Sequence, residues 1–304
     1  MSFSKEIKSE ILLLNEKSRH DRLAALSAFV LLSGKLMKID GKSRFFLDTL
    51  SDPIFSKYFT LLKKTININS IDDRLLTAET SKNLFEALRL KDIDSIEDGN
   101  IAKHFSRKLI DDSSSKKAFL RNAFLISGSV TDPNKSYMFS IVVKEKELAD
   151  IVQDIFSFFE LNAKVSFTAG NFTVYIKDST EVGEAVALIG ASKAYLSFEN
   201  VRILKEISSN VNRTVNCDTY NIGKSVNAGL LQVEDIKLID SKIGLENLPG
   251  TLQDIANARL QNPTLPLAEL GGKLEKPLSK SGVNHRMMRL REIAKGLRIE
   301  SSEV

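Results

Sequence analysis

The chain has 304 residues, 42% of them hydrophobic and 27% charged, and a formal net charge of +4. That length allows two domains with separate cores. No uninterrupted apolar run is long enough to span a bilayer, no signal-peptide pattern opens the chain, and the single cysteine, Cys217, rules out an internal disulfide. These features lead us to expect a soluble, cytoplasmic protein. His20, His104 and His285 are far apart in sequence, so a zinc site has little support, and no metal or cofactor is expected.

The N-terminal two thirds contain an internal repeat. Residues 26–34 read LSAFVLLSG and residues 120–128 read LRNAFLISG. They align without gaps, pairing Leu26 with Leu120, Leu31 with Leu125, Ser33 with Ser127 and Gly34 with Gly128. Each is an apolar helix that ends at glycine. Asp40-Gly41 then signals a hairpin. A helix is expected over 54–64, β-prone pieces over 65–71 and 74–77, and helical segments over 81–90 and 101–109. In the second copy the turn falls at Thr131-Asp132-Pro133-Asn134, a strand over 137–143 and a helix over 145–161. Strands over 164–168 and 172–177 flank a second hairpin about Ala169-Gly170-Asn171. The two copies predict a pseudo-twofold α+β domain with the glycine-terminated helices at its centre. Ala24, Ala28, Ala118 and Ala123 would let those helices approach closely.

Residues 212–227 are rich in donors: Asn212, Arg213, Asn216, Asn221, Lys224 and Asn227. A polar linker leading to a helix capped by Asp218 accounts for most of the asparagines. For Arg213 and Lys224 phosphate contact is favoured. Cys217 has no histidine nearby in sequence and reads as a small buried residue.

Three helices are expected at the C-terminal end. Leu252, Ile255, Ala256 and Leu260 recur at helical spacing between Pro249 and the Asn262-Pro263 stop. A short helix over 266–274 carries Leu267, Leu270 and Leu274, and Lys276-Pro277 forbids its simple continuation. The last helix begins near Ser279, with Ser279 or Ser281 as its cap, and buries Val283, Met287, Leu290 and Ala294. An amphipathic surface helix with a solvated basic face would explain this last segment alone. Short helix, tight break and basic helix together make a helix-turn-helix. From residue 273 onward there are eight basic and four acidic residues, an excess that matches the charge of the whole chain. Such a local basic excess is the electrostatic footprint of a DNA-binding module.

The repeat resembles the LAGLIDADG homing-endonuclease fold. In that family an acidic residue just before the terminal glycine of each central helix holds the catalytic metal. Those positions fall here on Ser33 and Ser127. Two hydroxyls would hold magnesium poorly, so the resemblance implies the scaffold and argues against nuclease chemistry. Asp40 and Asp132 lie past the helix ends and read as turn residues. Repeat and tail together resemble the WhiA family of bacterial regulators, which joins a degenerate LAGLIDADG-type domain to a C-terminal helix-turn-helix. The match is carried by SFSKEIKSEI at 2–11, AFLRNAFLISGSVTDP at 118–133 and NRTVNCDTYNIGKSVNAGLLQVEDI at 212–236. It continues through LPGTLQDIANARLQNP at 248–263 and SKSGVNHRMMRL at 279–290. Ser127 and Tyr220 depart from the family pattern, which has glycine and alanine there.

The expected fold is therefore α+β: a pseudo-twofold LAGLIDADG-like domain over 1–200, catalytically inactive, a linker over 201–217, and an all-α helix-turn-helix domain over 218–304 with its motif at about 265–299. The resemblance implies a sequence-specific DNA-binding protein, a transcription regulator of cell division and chromosome segregation, and of sporulation in organisms that sporulate. Double-stranded DNA is the expected partner, which places the protein with the nucleoid. A protein partner for the N-terminal domain is compatible with this, and no membrane is. Candidate DNA-binding residues are Ser279, Lys280, Ser281, Gly282, Asn284, His285, Arg286, Arg289, Arg213 and Lys224. The alternative is a metal-dependent DNA endonuclease of the LAGLIDADG type.

Overall fold

A computed structural model describes residues 2–68, 74–96 and 100–300. The chain divides into two compact units, Met1–Lys205 and Glu206–Val304. Each has its own apolar core.

The first unit opens with α1 (Phe3–Leu12) and α2 (Arg19–Ser33). Two strands follow, β1 (Gly34–Ile39) and β2 (Lys42–Leu47), then α3 (Asp52–Ile66) and α4 (Ala78–Ala87). After the short 3-10 turns Ile93–Ser95, Ile101–His104 and Arg107–Leu109 the second copy begins with α5 (Ser113–Ser127), β3 (Gly128–Val130) and β4 (Phe139–Val143). It is completed by α6 (Lys146–Phe158), β5 (Lys164–Thr168), β6 (Asn171–Ile176) and α7 (Ser179–Leu188).

The repeat is physical as well as textual. Ser18 caps α2 by accepting the Asp21 N–H, and Asp112 caps α5 by accepting the Ser115 N–H. Both helices end at a glycine held by close approach. A Cβ on Gly34 would lie 2.2 Å from the Val30 carbonyl oxygen, and one on Gly128 would lie 2.2 Å from the Phe124 ring. α2 packs on α5, with Ala24, Ala28, Ala118 and Ala123 all buried. The two hairpins turn alike. Asp40-Gly41 and Ala169-Gly170 each place both central residues at positive φ, which matches the right-handed twist of the flanking strands.

The copies differ in their sheets. The second forms four antiparallel strands in the order β3-β4-β6-β5. The first has β1 paired with β2, and among the described residues its expected second pair contributes one bridge, between Phe46 and Leu75. Residues 65–66 end α3, and residues 69–71 of that expected strand lie outside the described residues. The helix expected over 101–109 is two 3-10 turns, Ile101–His104 and Arg107–Leu109. Ile101, Ala102, Leu109 and Ile110 are buried there, and segments this short cannot repay helix nucleation.

The expected linker is helical. α8 (Ser192–Ile243) runs unbroken through residues 201–217, and Asp218 lies in its middle rather than at a cap. The Glu10 carboxylate accepts the Lys193 and Ala194 N–H groups at the helix start. No glycine or proline interrupts residues 191–222, so a helix nucleated on packed residues propagates through a polar stretch of weak propensity. Cys217, expected to be buried, is exposed on it.

The second unit contains the C-terminal part of α8, then α9 (Gly250–Gln261), α10 (Leu267–Gly271) and α11 (Lys280–Glu300). Its core joins Ile236 and Ile239 of α8 to Leu252, Ile255, Leu270, Val283, Met287, Leu290 and Ala294. Each large side chain buried there contributes about 1.5–3 kcal/mol. Among the described residues no helix is long and apolar enough to cross a membrane.

Candidate nucleic-acid interface

The last helix starts where its serine permits. Ser279 Oγ accepts the Gly282 N–H at 3.3 Å, and the Ser279 carbonyl accepts the Val283 N–H at 3.0 Å. Ser279, rather than Ser281, is the cap. Val283, Met287, Leu290 and Ala294 are buried, as their spacing predicts.

The turn before α11 depends on one close approach. The Leu278 N–H donates to the Gly271 carbonyl at 3.1 Å. A Cβ on Gly271 would sit 2.2 Å from the Leu278 carbonyl oxygen and 3.0 Å from Val283. Only a glycine lets α10 and the entry to α11 come this close. Arg259 fixes the preceding loop: it is 1% exposed and donates from Nη1 to the carbonyls of Leu265 (2.7 Å) and Asn262 (3.1 Å). Burial pulls its pKa down.

This frame presents one face of α11. Ser281, Asn284, His285, Met288, Arg289 and Glu292 line a shared shallow surface. Ser281, Asn284, His285 and Arg289 are expected there from the sequence. Met288 is not, yet it is 49% exposed. Its spacing, seven residues from Ser281 and four from Asn284, was the signal. Gly282 is half-buried against Leu278. Lys280 occupies a different flank, where it lines a cavity of about 230 Å³ with Ser225, Gly229, Gln232 and Pro266.

Two arginines are turned to the protein. Arg286 is half-buried and donates from Nη1 to the Thr251 carbonyl of α9 at 3.0 Å, so it does not share the outward face with Asn284. Arg298 Nη2 lies 2.7 Å from Asp235 Oδ1 on α8. Arg213 and Lys224 are exposed on α8.

In the first unit, Ser33 and Ser127 end the central helices without a carboxylate. The Asp48 N–H donates to the Ser33 carbonyl at 2.7 Å, but its carboxylate pairs with Lys35 at 2.7 Å and is held below the usual range by that contact. Asp40 sits in the hairpin turn. Asp132 accepts the Asn134 N–H at 2.9 Å, which lowers its pKa. Both are turn residues, as expected. Among the described residues one group of three potential metal ligands occurs, His20, Asp111 and Asp112. His20 Nε2 is 3.2 Å from Asp111 and 3.6 Å from Asp112, and Asp112 is also committed to capping α5. These are surface contacts beside the α5 cap.

Fold and site together define a two-part protein: a LAGLIDADG-like α+β unit and a helix-turn-helix unit. Sequence profiles agree with each. The WhiA LAGLIDADG-like domain matches residues 116–208, and the WhiA C-terminal HTH domain matches residues 211–294. Relatives named "Probable cell division protein WhiA" align over nearly the whole chain. The one from Lachnoclostridium phytofermentans is 36% identical over 98% of this chain and 100% of its own. The one from Clostridium perfringens strain 13 is 38% identical over 98% and 99%. The chain belongs to the WhiA family. The crystal structure of full-length DUF199/WhiA from Thermatoga maritima shares the fold, with a TM-score of 0.56 and 24% identity over 97% of this chain and 98% of that one.

Proposed function

We propose that the protein is a sequence-specific binder of duplex DNA that acts in cell division and performs no nuclease chemistry. The observation that carries this reading is the outward face of α11. Ser281, Asn284, His285, Met288 and Arg289 stand on one side of a helix whose other side is locked into the helix-turn-helix core. Amide, imidazole and guanidinium groups at the first turns match base edges in a major groove, and the Met288 side chain matches a thymine methyl. Ser279, Lys280 and Gly282 lie at the helix start, where backbone N–H groups and positive charge favour phosphate. Arg286 acts as a positioning residue through Thr251.

The role in cell division is that of the relatives' name. Regulation of transcription, a part in chromosome segregation, and sporulation where the organism sporulates are the roles the family resemblance implies. Such a protein would work in the cytoplasm at the nucleoid, and the first unit is free to engage a protein partner. The serines at the two helix ends support a scaffold without metal chemistry. Selection of bound duplexes from a random pool by the full chain tests the reading. An enriched motif is expected. Recovery of unenriched sequence would leave only non-specific binding, and no retention of duplex at moderate salt would overturn it.

A further inference from the structure

We infer that α8 carries a second duplex-contacting surface, formed by Arg213, Asn216, Tyr220, Lys224 and Asn227, which extends the DNA site along the phosphate backbone beside the stretch read by α11. The inference rests on the reading of the second unit as a DNA-binding module.

The helical continuity of α8 is what creates this surface. In a linker these residues would point in all directions. In a helix they recur at i, i+3, i+7, i+11 and i+14, and at about 100° per residue all five fall within about 80° of arc. All five are exposed. Between residues 210 and 230 the one acid is Asp218, about 140° away from Arg213 around the helix. Glu206 and Glu234 return to the same side and close the stretch at its two ends. The surface is a bounded strip of donors.

Its two cations are pre-oriented. Lys224 Nζ lies 4.5 Å from the centroid of the Tyr220 ring, and Arg213 Nη2 donates to Asn210 Oδ1 at 2.7 Å. Among the described residues neither pairs with a carboxylate. An exposed helix with cations held over neutral partners is poised for an anion that arrives from outside.

Position identifies the anion. Leu231 is one heptad beyond Lys224 on the same face, and it lines a groove of about 320 Å³ with Asn284, Met288 and Arg291 of α11. The strip therefore leads to the edge of the base-reading helix within one compact unit. From Arg213 to Asn227 it spans about 21 Å. That is about six base-pair steps of duplex. Amides and a phenol between two cations suit phosphate and sugar rather than base edges, so the strip should add affinity and leave the motif unchanged.

Two measurements on the full chain test this. The first is the salt dependence of binding to the selected duplex by wild type and by the Arg213→Ala/Lys224→Ala double variant. The log–log slope should shrink by about two in the variant, with an unchanged motif and unchanged helix content by circular dichroism. The second uses Cys217, the chain's single cysteine, exposed beside the strip. Bound duplex should slow its alkylation, whereas a duplex cut back to the motif should protect it less. Normal binding with an unchanged slope and unprotected Cys217 overturns this inference alone. A wild type that binds no duplex overturns it together with the reading on which it rests.

Discussion

The Arg286 guanidinium donates to the backbone carbonyl of Thr251 at 3.0 Å, which ties the first turns of α11 to α9. This separates two residues that the sequence places two positions apart. Asn284 faces outward and Arg286 braces the helix that presents it. Arg286→Ala should therefore lower the stability of the second unit by about 1 kcal/mol, with the selected motif retained. Asn284→Ala should leave stability nearly unchanged, cost about 1–3 kcal/mol on the preferred site, and relax base preference at one position. Chemical unfolding and binding-site selection on both variants decide the matter. A motif altered by Arg286→Ala and retained by Asn284→Ala would reverse the assignment.

Met288 should behave as an apolar reader. Its removal to Ala leaves the core intact, because Met287 and not Met288 is buried. Preference for one thymine-containing base pair should weaken while affinity for sites without it holds. Competition between the selected duplex and its uracil-for-thymine counterpart measures this directly. Equal loss on both duplexes would show that Met288 makes no methyl contact.

Much of this was legible in the sequence, for identifiable reasons. The central helices declared themselves through matched glycines, because Gly34 and Gly128 are dictated by local clashes with Val30 and Phe124. The hairpins at Asp40-Gly41 and Ala169-Gly170 followed from positive φ. The buried stripe of α11 followed from its period. Residues 201–217 did not declare themselves, because their helix is held by packing at its two ends, through Glu10 and Phe198 at one and Ile236 and Ile239 at the other. Local composition cannot report that. For the same reason the alignment of Asn216, Tyr220 and Asn227 with Arg213 and Lys224 was invisible. The role of Arg286 depends on Thr251, thirty-five residues away, and only the tertiary fold brings them together.

Gly271→Ala should destabilise the helix-turn-helix. Its Cβ would meet backbone, the Leu278 carbonyl at 2.2 Å, so no side-chain rotation can relieve the clash. A loss of about 1–3 kcal/mol is expected for overpacking of this kind. Gly282→Ala is the control, since its Cβ would find ordinary contacts at 3.6 Å and beyond. Thermal unfolding of the two variants should show a clear drop for the first and little change for the second. Equal melting would mean that the α10–α11 turn yields more readily than its geometry suggests.

Acid should weaken the α5 cap. Asp112 accepts the Ser115 N–H at 2.7 Å, and this bond holds its carboxyl below the usual range. The folded state thus binds its proton less readily than the unfolded chain. The contribution is fully present above the ordinary carboxylate value and is lost as pH falls from about 4 through the lowered folded value. Asp112→Asn retains a cap without that titration, so the stability difference between wild type and variant should narrow on acidification. A difference that stays constant from neutral pH to pH 3 would exclude the effect.

The protein should not cleave DNA with magnesium or manganese. A LAGLIDADG-type centre needs anionic oxygen from both central helices, and here those positions are Ser33 and Ser127. The backbone of Asp48 meets that of Ser33, and the Asp48 carboxylate is paired with Lys35 at 2.7 Å. Asp132 Oδ1 accepts both the backbone and the side-chain N–H of Asn134 in the turn past the second helix end. Incubation of supercoiled plasmid with the purified chain and either metal should give no nicked product above a metal-free control. Metal-dependent nicking that persists through purification, and disappears in Asp48→Ala or in an Asp40→Ala/Asp132→Ala variant, would overturn this and restore the endonuclease reading.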